Sequence, residues 1–419
     1  MQQRRGGPGP PAAGFHGSRV LAAALLANLV TIGCSLGIYG VFIGPVSADL
    51  GATQAQAGVG NSLWQLALGL GSPLLGPVLA RRSARPIMLA GALLLGAGLV
   101  AISRLEAPLA AGLVYFVCVG GGTLLAGPLP ASTLVATWYV RQRGRALGFA
   151  TAGMTLGTAL VPPLAAWLIS RLGWRDALAV LGVLAIAVLV PVLGAWLVSR
   201  PEELGQAPDG RAARDAGAAP GVAAAPGWRE LLGEVRFWRI AGVFGLLFAA
   251  GQVLVIFLVP YARHLGMTLE GGALVLSSRA GAGIVGRLGC GALADRVDLR
   301  RLLAAAIAAQ IALWLGLVHV RGIAAFVALG VVQGVVSGAL TPLQGALLGR
   351  AFGRGAFAAA LGLAGGVSLP LGLLAAPVFG AVLDASGDDF GLAFECFLAP
   401  LVAALLLLPG LELPERERE

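Results

Sequence analysis

The sequence predicts an all-α membrane protein with twelve transmembrane helices in two pseudo-symmetric bundles of six. Three observations support this prediction: the apolar composition, a series of long apolar segments and an internal repeat. Of the 419 residues, 58% are hydrophobic and only 12% are charged, and the mean hydropathy is +0.86. Such a chain is too apolar for an ordinary soluble domain and belongs in a lipid bilayer.

Twelve apolar segments are long enough to be transmembrane helices, which need about 20 residues to cross the hydrocarbon core. In chain order the predicted spans are 20–46, 57–80, 86–103, 109–136, 146–170, 175–198, 239–262, 271–294, 302–320, 323–347, 356–383 and 391–411. Backbone groups in lipid must be hydrogen-bonded within the segment, so each span is predicted to be helical. Their many glycines and alanines favour close helix packing.

The arginines predict the orientation of the chain. All 29 basic residues are arginines. If the N-terminus is cytoplasmic, 22 of them fall in cytoplasmic segments and five in external ones, which is the asymmetry of the positive-inside rule. We therefore expect a multi-pass inner-membrane protein whose tails, a disordered 1–19 and a short 412–419, are both cytoplasmic. The arginines are too scattered for a nucleic-acid-binding patch.

One long polar segment, 199–238, divides the chain. We predict that it is a cytoplasmic linker, with a short interfacial helix over 228–238, between bundles 20–198 and 239–411. The halves repeat each other, since VFIGPVSADLGAT (41–53) aligns with IFLVPYARHLGMT (256–268) at an offset of 215 residues. A near-constant offset indicates duplication in the same orientation, as in secondary transporters with a binding site between the halves near the midplane.

Two copies of a loop motif lie at equivalent places in the halves. The second copy is GALADRVDLRR (291–301), and the first is GPVLARRSARP (76–86). The second copy resembles the signature G-x-x-x-D-R-x-G-x-R-R of the major facilitator superfamily, with Asp298 where the second glycine is usual. The sequence is therefore similar to this family of twelve-helix transporters, which work by alternating access.

The resemblance implies that the motif latches the cytoplasmic side. The residues concerned are Gly291, Asp295, Arg296 and Arg300 in the second copy, and Gly76, Arg81 and Arg85 in the first. A carboxylate at Asp295 can accept hydrogen bonds from backbone N–H groups or a helix N-terminus, while the arginines fix the loop at the interface. The first copy has Ala80 where the family has aspartate, so it lacks that acceptor.

Within the superfamily, the sequence is most similar to the branch of monocarboxylate porters and oxalate/formate antiporters. The similar segments are GVFIGPVSADLG (40–51), TWYVRQRGRALGFATAGMTLG (137–157), GWRDAL (173–178) and an arginine four residues before the latch glycine. This resemblance implies that Arg287 binds a substrate carboxylate. Two features of the branch are missing: the aspartate four residues earlier is Gly283, and span 356–383 has no basic residue.

Arg279 and Arg287 stand out because both lie well inside the eighth apolar span. Placing an arginine near the bilayer centre costs roughly 3 kcal/mol or more, so such residues usually face a wet cavity or a partner. A guanidinium binds a carboxylate with two parallel hydrogen bonds. We expect Arg287 to bind an organic anion and Arg279 to add a second positive centre. The alternative is that both arginines are tethers between helices.

Polar and aromatic residues on other spans complete the predicted site. They are Asn28, Tyr39, Tyr115, Gln252, Gln333 and Gln344. Each of them can equally make a hydrogen bond that only packs two helices together. No acidic residue lies mid-span, which disfavours a cation/proton antiporter and leaves anion exchange or proton symport.

The sequence thus favours a monomeric secondary transporter of a small organic anion, in particular a monocarboxylate. It shows no phosphate-binding loop, metal-ligand spacing or nucleophile–base pair, so we expect no enzyme activity, cofactor or metal. Two alternatives stay open. One is an efflux carrier for a neutral or amphipathic compound, and the other is a transporter-like sensor whose partner binds the linker 199–238.

Overall fold

The structure is a computed structural model that describes residues 15–139, 143–207, 228–294, 297–320 and 322–409. Within these ranges the chain forms helices and no strands. We number the long helices α1 Gly17–Leu50, α2 Gln54–Arg81, α3 Ala84–Ile102, α4 Pro108–Trp138, α5 143–172, α6 174–196, α7 Val235–His264, α8 Leu269–Ala294, α9 Leu299–His319, α10 Ile323–Phe352, α11 Ala360–Ser386 and α12 Phe390–Leu406. The predicted fold of twelve helices in two bundles is confirmed.

Several of these helices depart from the simple spans that the sequence predicts. By length and composition alone, eight helices of the described residues could cross a membrane. These eight include α5 and α6 as one continuous stretch and do not include α2, α8 or the short α12. The last helix is divided into Phe390–Cys396 and Leu398–Leu406, while α1 and α4 contain π-helical segments at Gly33–Gly37 and Tyr115–Gly120.

The linker region also differs from the prediction. The seventh span begins at Val235, inside the segment assigned to the linker. The predicted interfacial helix is the short Trp228–Gly233, which ends before α7 begins, and a 3₁₀ turn forms at Pro201–Leu204. Residues 208–227 lie outside the described part of the chain.

The internal repeat is visible in the backbone. Gly51 and Gly266, one repeat apart, have φ angles of 64° and 85° and follow the ends of α1 and α7. Gly173 and Gly387, 214 residues apart, have φ angles of 79° and 68° and end α5 and α11. These left-handed conformations favour glycine. Equivalent glycines therefore follow the first helix of both halves, and another equivalent pair follows the fifth helix of both halves.

The next helix in each half also begins in the same way. The Thr53 hydroxyl accepts a hydrogen bond from the Gln56 N–H at 3.3 Å, and the Thr268 hydroxyl accepts one from the Gly271 N–H at 3.1 Å. Threonine is a favourable N-cap because its oxygen satisfies one of the free N–H groups of the first turn. The duplication predicted from the sequence is thus visible in the conformation of the helix ends as well as in the aligned amino acids.

The tenth and eleventh spans follow each other closely within the helical segment Ile323–Ser386, but they are two separate helices, as the sequence predicts. A straight helix of that length would measure about 96 Å, some three times the hydrocarbon thickness. Its two parts run in opposite directions, since α10 is parallel to α8 and α11 is antiparallel to α2. The chain therefore reverses direction between residues 352 and 360.

A ladder of glycines packs α10 against α8. Three glycines lie four residues apart on one face of α10 and face α8 in register: Gly330 opposite Val275, Gly334 opposite Arg279, and Gly338 opposite Gly283. A Cβ atom on Gly334 or Gly338 would overlap the carbonyl oxygen of its partner. Small residues at this spacing let two helix backbones touch. The ladder holds the helix that carries both Arg279 and Arg287.

Candidate functional site

The two halves meet at the middle of the molecule through α8 and α5. The Arg287 guanidinium of α8 donates a hydrogen bond to the Thr155 hydroxyl of α5. Thr155 is buried, whereas Arg287 keeps an exposed side chain. An exposed guanidinium at a junction between bundles is accessible to a solute that enters between them. Arg287 is therefore a predicted site residue that directly links the two halves.

Arg279 lies deeper and stays within the second half. Its side chain is buried, with 8% of the residue exposed. The Nε atom donates to Gln333 Oε1 of α10, and one terminal nitrogen lies 3.5 Å from the Gly251 carbonyl oxygen of α7. The geometry is that of a tether joining three helices. Two guanidinium hydrogen bonds to neutral acceptors leave its positive charge without a counter-charge.

Amide side chains beside this tether have unused hydrogen-bond donors. Gln252 of α7 donates to Asn61 Oδ1 of α2 at 3.2 Å, a second polar link between the halves. The nitrogens Asn61 Nδ2 and Gln333 Nε2 are buried and have no partner among the described residues. Buried donors of this kind cost free energy unless they are paired. Two buried amide donors near Arg279 are thus unpaired within the described part of the chain, and the buried acceptor Asn28 Oδ1 on α1 is unpaired there as well.

The described residues supply no carboxylate to either arginine of α8. The ion pairs Arg175–Asp49 at 2.8 Å and Arg236–Glu234 at 3.0 Å lie near the ends of other helices. A charge removed from water is stable only when it is paired or well hydrogen-bonded. An acceptor-rich, negatively charged solute fits this site better than a cation.

The other predicted lining residues lie apart from the arginines. Asn28 of α1 donates to the Ala150 carbonyl oxygen of α5 at 2.9 Å and packs the first bundle. Tyr39 and Tyr115 pair with each other, with ring centroids 5.3 Å apart. Gln344 is buried on α10, eleven residues beyond Gln333 and so about 16 Å along the helix. The structure thus divides the predicted set into several places.

On the side opposite the chain termini, α11 of the second half closes over the start of α2. The Asp384 carboxylate accepts hydrogen bonds from the N–H groups of Gln54 and Ala55 at 3.0 and 2.9 Å. The neighbouring capping box of Thr53 and Gln56 satisfies the adjacent N–H groups. Asp384 therefore completes the N-terminal cap of a helix that belongs to the other half.

Further contacts extend this closure towards the midplane. A Cβ atom on Gly58 would lie 2.6 Å from the Ala376 carbonyl oxygen of α11. The Gln65 side chain donates to the Gly372 carbonyl oxygen at 3.1 Å. The two halves are thus in backbone contact on the side opposite the termini.

A model of one protein family matches residues 25–325, more than two thirds of the chain, and its description is Major Facilitator Superfamily. The chain belongs to this superfamily. It is accordingly a membrane transporter and not an enzyme, as the sequence predicts. The finer assignment, to the monocarboxylate and oxalate/formate branch, is not tested by this match and stays a prediction.

Solved structures with the same fold include other transporters of the superfamily. The inward-facing, unoccupied structure of a bacterial homologue of the human lysosomal transporter Spinster has a TM-score of 0.69 and 15% identity, with 95% of each chain covered. A point mutant of the nucleoside transporter NupG has a TM-score of 0.74 and 14% identity, covering 94% of this chain and 99% of its own. No curated protein matches the chain by sequence.

Part of the superfamily latch can be placed in this transporter. Asp295 and Arg296 lie outside the described residues. Gly291 lies in the last turn of α8, and Gly76 and Arg81 lie at the end of α2. The Arg85 guanidinium donates to the Gly194 carbonyl oxygen of α6, so it joins two helices of the first half.

The turn before α9 is held by Asp298, the residue that departs from the family signature. Its carboxylate accepts hydrogen bonds from the N–H groups of Arg300 and Arg301 at 2.8 and 3.2 Å. This is an N-cap, and an aspartate directly before an apolar helix is a sequence signal for one. The substitution of glycine by aspartate thus adds a cap at this end of the latch loop.

Replacing Asp298 by alanine is expected to lower the free energy of unfolding by about 1 kcal/mol, because the first turn of α9 loses its acceptor. Thermal or denaturant unfolding of the detergent-solubilised transporter measures the change. Asp298→Asn, which keeps an acceptor oxygen, is the matched control and should unfold near the wild type. Equal stability of the alanine variant and the wild type would contradict a capping role.

Sequence reasoning misses several residues of these contacts. Asn61 is an amide within a predicted apolar span, the same signal that selects Gln252, and it could be chosen on that basis. Thr155 is only a weak candidate by sequence, because a threonine in a membrane helix commonly bonds its own backbone. The sequence places Asp384 only at an external helix end. Its role depends on the helix of the other half that it meets.

Proposed function

We propose that this transporter moves a small organic anion, a monocarboxylate, across the inner membrane by alternating access, with both termini in the cytoplasm. The observation that carries the proposal is Arg287, an arginine inside a membrane helix whose one described side-chain partner is a neutral hydroxyl of the other half. A carboxylate would supply the missing negative charge through two charge-assisted hydrogen bonds. Substrate arriving between the bundles would displace or share the Thr155 contact.

The unpaired amide donors near Arg279 support the same class of substrate. Asn61 Nδ2 and Gln333 Nε2 offer hydrogen-bond donors without described partners, and Arg279 adds positive charge about 12 Å along α8 from Arg287. Carboxylate oxygens are acceptors only. A compact monoanion can therefore accept hydrogen bonds from one arginine and from a hydroxyl or amide donor. Its own charge is then paired with that arginine.

The second candidate is a neutral polar compound, carried with the arginines acting only as tethers. Two observations favour it: Arg279 already binds Gln333 and the Gly251 carbonyl oxygen, and one structural neighbour is a nucleoside transporter. Amides such as Asn61 and Gln252 suit a neutral solute that both donates and accepts hydrogen bonds.

Uptake into proteoliposomes separates these candidates. Labelled lactate, pyruvate, formate, oxalate and uridine would be offered to the wild type, Arg287→Ala and Arg287→Lys. Removing the guanidinium should reduce anion uptake, as kcat/KM, by roughly 100-fold, because one partner of a desolvated charge pair is lost. Lysine keeps the positive charge but cannot make the two parallel hydrogen bonds of a guanidinium, so it is expected to restore only part of the activity. Arg104→Ala, an exposed loop arginine, is the control.

Two conditions then distinguish the modes of transport. Uptake that requires unlabelled anion inside the vesicle indicates exchange, whereas uptake driven by an inward proton gradient indicates symport. Normal transport by Arg287→Ala would contradict the anion site, and uridine uptake without anion uptake would favour the neutral carrier. A wild type that binds these solutes but moves none of them would favour the sensor.

A further inference from the structure

A cavity lies within the first bundle, away from the arginines. Its volume is about 310 Å³. Its lining comes from α1, α2, α3, α4 and α6, all in the first half. The lining is mainly apolar, with side chains such as Ile38, Phe42, Leu63 and Leu99. The cavity is therefore distinct from the site between the halves.

The cavity is elongated along α1. Its lining extends from Ser35 to Leu50, a rise of about 22 Å at 1.5 Å per residue. Apolar cavities of this kind do not retain water and take up apolar molecules instead. The shape and the lining together suit a flexible hydrocarbon chain.

One polar group inside the cavity has no described partner. The Tyr115 hydroxyl is buried and makes no hydrogen bond with the described residues. Tyr115 begins the π-helical segment of α4, and Tyr39, whose ring packs on it, follows the π-helical segment of α1. Such segments are frequent at functional sites. A buried phenol hydroxyl normally has a partner, so the cavity offers a hydrogen bond to its occupant.

The cavity opens sideways, towards the bilayer. Val59 of α2 and Leu109 and Leu113 of α4 line it and are 44%, 77% and 53% exposed. The exposed Gln56 lies at the end near the membrane surface. A lipid chain could thus enter from the membrane between α2 and α4 without passing through the transport pathway.

We propose that this cavity binds the single alkyl chain of a free fatty acid, whose carboxyl oxygen accepts a hydrogen bond from Tyr115. Tyr115 lies about 10 Å along α4 from Pro108 at the outer end of the cavity, whereas the ester groups of a bilayer phospholipid stay at the membrane surface. Occupancy fills the space between α1, α2 and α4 and satisfies the buried hydroxyl. The inference does not depend on the anion proposed for the central site.

Native mass spectrometry of the delipidated full chain tests the proposal. The probes are oleate and a two-chain phosphatidylglycerol, each titrated against wild type and variants. Gly112→Leu fills the cavity, since a Cβ there meets only the Leu63 side chain at 3.7 Å. Tyr115→Phe removes the hydroxyl and keeps the ring. Val117→Phe, on the exposed face of α4 and outside the lining, is the matched control.

We expect one bound chain per wild-type protein, loss of at least tenfold in affinity in Gly112→Leu, and about tenfold in Tyr115→Phe. Val117→Phe should bind as the wild type does. Oleate should bind and phosphatidylglycerol should not, and phosphatidylglycerol binding with the affinity of oleate would contradict the position of the carboxyl group at Tyr115. The proposal is overturned if the wild type binds neither probe, if Gly112→Leu and Tyr115→Phe bind normally, or if Val117→Phe loses binding equally.

Discussion

Replacing Gly334 by leucine is expected to prevent assembly of the second bundle. A Cβ atom at this position would overlap the carbonyl oxygen of Arg279 on α8. Because the obstacle is backbone, no side-chain rotation relieves it, and α10 must move away from α8. Overpacking typically costs about 1–3 kcal/mol and more when backbones must separate, a large part of a total stability of about 5–15 kcal/mol.

The same displacement would break the tether of Arg279. Moving α10 carries Gln333 away from the guanidinium and leaves a buried charge with the Gly251 carbonyl oxygen alone. Removing one partner of a buried charged group costs several kcal/mol. The two effects add in the same direction, so we expect little folded monomer.

Size-exclusion profiles and thermal unfolding of the detergent-solubilised transporter measure this effect. Gly281→Leu on α8 is the matched control, because a Cβ atom there has no neighbour within 4 Å. Gly334→Ala should be intermediate between the wild type and leucine. A leucine variant that folds with wild-type yield and melting temperature would show that the α8–α10 contact is looser than the ladder implies.

Much of the fold could be predicted from the sequence because lipid restricts the choices. Apolar segments in a bilayer have to be helical, and arginines separate the two sides, so composition alone leads to the helix series. The repeat is readable because left-handed turns require glycine at Gly51 and Gly266, whose φ angles are 64° and 85°. The loop signature then indicates the superfamily, which the family match confirms.

The contacts of the site could not be predicted in the same way. Arg279 could face either the space between the two halves or the neighbouring helices, depending on which side of α8 meets α10. Glycines on α10 decide this. Tyr39 and Tyr115 have the sequence signal of pore-lining residues but lie in a cavity of the first bundle.

Replacing Asp384 by asparagine is expected to open the side opposite the termini. The carboxylate binds two N–H groups at the start of α2, and alternating access requires this contact between halves to break whenever that side opens. Asparagine keeps one acceptor but presents an NH₂ group to the second N–H. Loss of a hydrogen bond to a charged group, at an exposed position, is worth about 1.4 kcal/mol or a tenfold shift in population.

A change on the other side of the same contact gives an independent test. Gln54 is the first residue of α2, a position where proline is tolerated, and Thr53 before it already has the extended backbone that proline requires, with ψ of 164°. Gln54→Pro therefore removes the N–H that Asp384 binds without breaking the helix. Thr53→Ala disrupts the capping box within the first half alone and serves as the control.

Distances between spin labels at Glu106 and His319, both exposed and on opposite halves, report this opening in a background with the exposed Cys396 replaced by serine. Asp384→Asn and Gln54→Pro should each increase the population with the longer distance, and Thr53→Ala should not. Unchanged distances in the first two, or an equal increase in the control, would contradict the role of Asp384. Because both changes remove one contact, the double variant should shift no further than the larger single one, which distinguishes a gate at Asp384 from general loosening of α2.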